Sequence, residues 1–339
     1  FKVEGQIIQR HKDFGLNDRA LMHRIDYEKG TITLDGEEYQ LLDTNFPTVD
    51  PKDPYKLSDE EEEVMERLER AFLGCEKLQE HMRFLLAKGS LYKVYNNNLL
   101  YHGCVPLNPD GSLKEVSLFG KRFKGKSLYD ALDRYLRKGF FALNEKERED
   151  GKDIMWYIWS NENSPVYGKE KMATFERYFI ADKEVQIERK DHYYRLIERE
   201  DVVNNILKEF GVDIEKGHII NGHMPVHVKE GESPVKCNGK VMIIDGGFSK
   251  AYRGTTGIAG YTLIYNSRGL RLVSHETFTS TEDVIEKEID VHSDTVIREV
   301  SAQRERVIDT ETGRQLKEQI SDLEKLLHAY RTGQILEKE

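Results

Sequence analysis

Two of the eleven histidines stand where an imidazole can act on a ligand. His102 follows the apolar run Leu99-Leu100-Tyr101 and precedes Gly103, while His223 follows Ile219-Ile220-Asn221-Gly222 and precedes Met224-Pro225-Val226. Both runs have the composition of strands, so each histidine is expected at a strand end, facing the crevice above a sheet where α/β proteins keep ligands. Imidazole is a common ligand of divalent transition metals. Singly, either residue is more simply a loop residue at a strand end, and only the pair points toward a metal. A third candidate follows the strand-like residues 241–244: the segment Asp245-Gly246-Gly247-Phe248-Ser249-Lys250-Ala251-Tyr252-Arg253-Gly254-Thr255-Thr256-Gly257. Its glycines let backbone amides approach a ligand, and Lys250 and Arg253 carry charge suited to a phosphoryl group. The bland reading is a plain turn. No Walker loop, dinucleotide fingerprint, nucleophile elbow or His-Glu-x-x-His helix occurs.

The elements that must position these residues are legible in outline. Residues 1–10 are strand-like, and residues 1–57 alternate short apolar segments with turns, such as Thr31-Ile32-Thr33-Leu34 before Asp35-Gly36. Ser58 and Glu61 form a capping box for a helix ending at Gly89. Val64, Leu68, Phe72, Cys75, Leu78, Met82 and Leu85 recur on it at spacings of three and four, which predicts one buried stripe. Residues 91–95 and 99–101 are strands separated by Asn96-Asn97-Asn98, and helices are expected over 127–138, stopping at Gly139, and over 201–210, stopping at Gly211. Strands follow at 218–221, 241–245, 261–265 and 270–274, and a last helix over 314–330 places Leu316, Ile320, Leu323, Leu327 and Tyr330 on one face. The class is α/β or α+β.

Length and composition bound the rest. A chain of 339 residues corresponds to about two domains. Charged residues are 33% and the mean hydropathy is −0.65, with no apolar run near the ~20 residues that cross a bilayer, so no membrane role is expected. A net charge of −10 argues against nucleic acid as a partner. Cys75, Cys104 and Cys237 are far apart, which suggests neither a zinc ribbon nor a disulfide framework and fits a cytoplasmic location. The start at Phe1, without the features of a signal peptide, suggests a chain that begins inside a longer one.

Four segments in order, Tyr101-His102-Gly103-Cys104, Trp156-Tyr157-Ile158-Trp159-Ser160-Asn161, Asn221-Gly222-His223-Met224-Pro225-Val226 and Phe248-Ser249-Lys250-Ala251-Tyr252, resemble the C-terminal half of a calcineurin-like metallophosphoesterase. Leu42-Asp43-Thr44-Asn45-Phe46-Pro47-Thr48, Thr174-Phe175-Glu176-Arg177-Tyr178-Phe179 and the 245–252 segment narrow the resemblance to the class III, Firmicutes-type fructose-1,6-bisphosphatases. The implied fold is half of a β-sandwich flanked by helices at 91–310, with an appendage and amphipathic helix at 1–90 and a terminal helix and tail at 311–339.

The resemblance implies hydrolysis of fructose 1,6-bisphosphate to fructose 6-phosphate and phosphate, a step of gluconeogenesis, by water activated between two divalent ions, with manganese expected. His102 and His223 match the family's two C-terminal metal ligands. The family's N-terminal motifs, Gly-Asp-x-x-Asp-Arg and Gly-Asn-His among them, do not occur here. A missing N-terminal half of the same enzyme is therefore an implied partner beside the phosphorylated sugar, and a homo-oligomer is compatible with both. Asp290-Val291-His292 is read as coincidence, and His218 and His227 are given structural or supporting roles. Lys250, Arg253 and Tyr252 are the expected substrate contacts, with packing as the alternative for Tyr252; Lys169 and Arg177 are weaker candidates, more simply solvated cations. Two other functions compete: a metallophosphoesterase acting on a phosphoprotein or nucleotide, and a non-catalytic binding or assembly module.

Overall fold

Val3, Ile7 and Ile8 are spaced for a helix, and α1 (Lys2–Arg10) buries Ile7 and Ile8, correcting the strand expected over residues 1–10. The computed structural model describes residues 1–247, 249, 253–257, 260–276, 280–288, 293–298 and 304–336. These fall into two units, Phe1–Tyr92 with Tyr101–Phe210, and Lys93–Leu100 with Gly211–Glu339.

In the first unit, β1 (Ile25–Asp26), β2 (Thr31–Leu34) and β3 (Glu37–Gln40) form an antiparallel meander. Its second turn uses Asp35 and Gly36 at φ 50° and 86°, the left-handed pair a two-residue hairpin needs. Ile32 and Leu34 of β2 pack with Leu21, Leu41, Phe175 and Ile180. Then come α2 (Asp59–Leu73) and α3 (Glu76–Lys88). The capping box at Ser58 and Glu61 forms as its sequence predicts. The single buried stripe does not: the helix breaks at Gly74-Cys75, and neither α2 nor α3 contains a buried residue. The apolar spacing is real, but along α2 and at Leu85 it stays exposed, and of the stripe only Leu78 and Met82 of α3 are half-buried.

β4 (Tyr92–Tyr95) and β5 (Asn98–Tyr101) belong mainly to the second unit and are taken with it below. A hairpin of β6 (Val116–Leu118) and β7 (Lys121–Phe123) leads to α4 (Gly125–Phe141) and α5 (Glu145–Ser160). Leu128 and Leu132 of α4 and Ile154, Tyr157 and Ile158 of α5 make the main core with Ile7, Phe14, Val116 and Leu118. Gly139, expected as a helix stop, lies inside α4 because it is a crossing point: a Cβ on Gly151 would lie 2.2 Å from the Gly139 nitrogen. Only glycine lets the two backbones meet there. α6 (Thr174–Phe179), α7 (Tyr193–Leu196) and α8 (Glu200–Glu209) complete the unit, with Gly211 at φ 72° after the last.

In the second unit, β8 (His218–Asn221), β9 (Val235–Lys236) and β10 (Val241–Ile243) join β4 and β5 in a sheet of order β4-β5-β8-β10-β9. Asn96 and Asn97, at φ 46° and 60°, turn the chain from β4 to β5. α9 (Arg253–Thr256) precedes an antiparallel sheet of β11 (Gly260–Asn266), β12 (Gly269–His275) and β13 (Ser293–Arg298), with α10 (Thr281–Glu286) between the last two. α11 (Glu311–Arg331) is the last helix, and its five apolar residues at 316, 320, 323, 327 and 330 are all exposed. The class is mixed α/β. Among the described residues no helix is long and apolar enough to cross a membrane.

Candidate active site

The central strand of the five-stranded sheet is β8, and both its neighbours run parallel to it, with Leu99 and Leu100 of β5 opposite Ile219 and Ile220, and Val241 to Ile243 of β10 opposite Ile219 to Asn221. Parallel strands end on the same edge. In an open parallel sheet that edge is where ligands bind, because chain segments leaving neighbouring strands converge on it. β8 leads into Gly222-His223, and β10 leads into Ile244-Asp245-Gly246-Gly247. β5 leads through Tyr101 into His102, which belongs to the first unit.

The loop after β8 is fixed by the loop after β10. The Val226 N–H donates to the Asp245 carbonyl at 3.0 Å, the Ile244 N–H to the Asn221 carbonyl at 2.8 Å, and the Gly247 N–H to the Asp245 Oδ1 at 2.9 Å. Between these anchors His223 sits half-buried at φ 70°, a left-handed backbone that side-chain-bearing residues seldom adopt and that costs about 1–3 kcal/mol. Further along, Lys229 donates its Nζ to the Gly254 carbonyl at 2.7 Å, a second tie between the two loops that the sequence did not single out. His218 opens β8 and so stands at the opposite end of the strand from His223. The His227 backbone N–H donates to Glu232 Oε2 at 3.0 Å, and its Nδ1 lies 3.5 Å from Glu230 Oε1.

Around His102 the first unit is closely packed. His102 is exposed, while Tyr101, Gly103 and Cys104 on either side are buried. A Cβ on Gly103 would lie 2.5 Å from the Pro165 carbonyl oxygen, so a larger residue would push the segment off its neighbour. The Cys104 N–H donates to that same carbonyl at 2.9 Å, and Tyr129 donates its hydroxyl to the Cys104 carbonyl at 2.7 Å. The hydroxyls of Tyr101 and Tyr193 are 2.7 Å apart. Burial pushes the Cys104 thiol and the Tyr101 phenol well above their ordinary values, so both stay protonated and serve packing.

Asp191 is a group for which the sequence has no pattern. Burial raises its pKa, its Oδ1 accepts the Tyr193 N–H at 2.7 Å, its own N–H donates to the Gly168 carbonyl at 3.0 Å, and its charge acts on the Cys104 thiol. The one available signal is its neighbour His192, an acid–imidazole pair at the start of a short helix.

Of the cations singled out, Lys169 and Arg177 both turn to Glu188, at 2.7 and 3.3 Å. Burial works against that carboxylate's charge, but hydrogen bonds from Lys169 and the Ala173 N–H hold its pKa below the ordinary value. Their visible role is to neutralise an inward-facing acid. Two family-like segments meet nearby: the Leu42 N–H donates to the Phe179 carbonyl at 2.8 Å, and the Phe46 and Phe179 rings are 5.5 Å apart. Glu176 is buried and takes a two-point bond from Arg19 at 2.7 and 3.0 Å. The first unit also holds a cavity of about 260 Å³ beside α1 and α5, walled in part by Ile8, Leu16, Met22, Trp156 and Phe175. None of the sequence candidates lines it.

Lys250, Tyr252 and the triplet 290–292 lie outside the described residues, as does the side chain of Arg253, whose backbone opens α9. Among the described residues no three or more His, Cys, Asp or Glu side chains gather as a metal site. The described residues therefore do not by themselves fit a dinuclear centre.

A family model described as Firmicute fructose-1,6-bisphosphatase matches residues 1–332. Curated proteins named fructose-1,6-bisphosphatase class 3 are 55% identical over 338 residues in Clostridium acetobutylicum and 54% identical over 340 residues in Clostridium novyi and in Phocaeicola vulgatus. These alignments take in 99–100% of this chain and 51% of each relative. The chain thus spans about half the length of the curated relatives it matches, corresponding to their C-terminal half. No solved structure matches it.

Proposed function

Because the chain belongs to the Firmicute fructose-1,6-bisphosphatase family, we propose that the complete protein removes one phosphate from fructose 1,6-bisphosphate, releasing fructose 6-phosphate and inorganic phosphate, and that residues 91–310 supply part of the phosphoesterase domain. The observation that carries the reading is the parallel register of β8 and β10, which brings the chain off the sheet on one edge just before His223 and the 245–257 segment.

The family implies a divalent metal, and two manganese ions are the proposed occupants. His102 and His223 are this chain's proposed donors, with the remaining donors lying beyond these residues. The left-handed backbone at His223, between the anchors at Asn221 and Asp245, supports that role, because fixing the backbone from which the side chain leaves lowers the cost of ordering it on a metal. Lys250 and Arg253 are proposed to neutralise phosphate oxygens and Tyr252 to contact them, from a glycine-rich segment whose backbone amides can approach an anion.

Variants of the complete protein test this. His223→Asn keeps a residue type that tolerates left-handed backbone, so the melting temperature should hold while bound metal and kcat/KM for fructose 1,6-bisphosphate fall, the latter at least about a hundredfold. Lys250→Ala and Arg253→Ala should keep the metal and lose roughly tenfold to a hundredfold in kcat/KM, about 1.5–3 kcal/mol. Full metal content with wild-type turnover in His223→Asn would remove the metal assignment.

A further inference from the structure

The α2–α3 arm breaks the rule that a helix buries its apolar side. Every residue from 62 to 77 is exposed, and so are Phe84 and Leu85 of α3. Val64, Leu68 and Phe72, four residues apart, lie along one side of α2 at 42%, 47% and 62% exposure, with Met65 beside them. The arm's ties to the rest of the first unit are polar. Lys152 meets Glu69 at 3.3 Å, Arg137 donates to the Gly89 carbonyl at 2.8 Å, and Glu61 takes the Lys2 ammonium at 2.7 Å. An isolated fifteen-residue helix is marginal in water, and a continuous exposed apolar line on it marks an interaction surface.

We propose that this line is the docking surface for the N-terminal half that class 3 relatives carry ahead of the matched segment. The inference rests on the functional reading only in taking that half to be part of the complete protein. Length and position favour this occupant. The matched segment is 51% of the relatives, which leaves about as much chain again, enough for a domain. In the relatives that half precedes the matched segment, and at the start of the matched segment here Lys2 is bonded both to Glu61 in the first turn of α2 and to the Thr48 carbonyl at 2.7 Å. A domain attached there begins beside the apolar line, so little loop entropy opposes contact. Charge disfavours a second copy. α2 carries seven acids, Asp59, the four glutamates 60–63, Glu66 and Glu69, against Arg67 and Arg70, so two α2 helices laid parallel would set like charges face to face.

Hydrogen exchange decides it, measured on residues 1–339 alone and on the same residues joined behind the N-terminal half of the Clostridium acetobutylicum relative. Amides of 59–88 should exchange at least tenfold more slowly in the joined protein, and a Leu68→Glu, Phe72→Glu variant should restore fast exchange there while α4 and α5 stay protected. Unchanged exchange at 59–88 in a joined protein that hydrolyses fructose 1,6-bisphosphate would overturn the docking and leave the functional reading standing. Protection without hydrolysis would do the reverse. A dimer of residues 1–339 that Leu68→Glu dissociates would assign the surface to a second copy and defeat the proposal.

Discussion

The pairs α4–α5 and α2–α3 have similar ingredients and opposite fates. Each joins two helices of 13 to 17 residues through a short turn, and each carries apolar residues at helical spacing. α4 and α5 meet backbone to backbone at Gly139 and Gly151 and close over Leu128, Leu132, Ile154 and Tyr157. α2 and α3 contain no fully buried residue, and only Leu78, Met82 and Leu86 of their apolar residues are half-buried. Helical periodicity declares that one face wants a partner and is silent about where that partner is. Paired glycines add the missing information, since they allow an approach that any Cβ would block.

The contrast can be sharpened in the isolated chain. Leu132→Ala, at a fully buried position, should cost about 2–5 kcal/mol, read as a lower urea midpoint; a change under 1 kcal/mol would show that α4 and α5 do not form a close-packed core. The start of α2 should respond to acid. Hydrogen bonds from Lys2 and Thr48, then from the Ser58 N–H, hold the Glu61 carboxylate at about 2. Since its pKa is lower folded than unfolded, where glutamate titrates near 4.3, the clamp stabilises above that pH and is lost as pH falls through about 2. Helical signal and amide protection in α2 should decline over that window, and Glu61→Gln, whose amide oxygen can still accept the Ser58 N–H, should remove the dependence while keeping the cap; an acid limb untouched by Glu61→Gln would place its origin elsewhere. The smallest effect belongs to Leu68→Ala, expected within about 0.5 kcal/mol because its side chain is already in water; a loss of 2 kcal/mol would mean that the arm is packed after all.

What could be foreseen followed the reach of each signal. The strand 218–221 is legible because Ile219-Ile220 is bounded by Gly222, and the capping box at Ser58 because its two residues are three apart. The strand expected at 1–10 fails because its few apolar residues fit a helix better than an alternation. The parallel pairing of β5 with β8 joins segments more than a hundred residues apart, which no local period encodes. Lys169 and Arg177 look like solvated cations until Glu188 is seen to hold both, and Asp191 is only faintly signalled by its neighbour His192 because burial is the largest influence on its pKa.

The φ of 70° at His223 also narrows what may ever occupy that position. Left-handed backbone is open to glycine, tolerated by asparagine, aspartate and histidine, and strongly adverse to valine, isoleucine and threonine. Of the four admissible types only histidine and aspartate are ordinary donors to a divalent cation, and only histidine brings an uncharged nitrogen. The backbone has thus narrowed the alphabet at this position before any ligand exerts a preference, and most single substitutions there should carry a stability penalty of about 1–3 kcal/mol that is separate from any effect on catalysis.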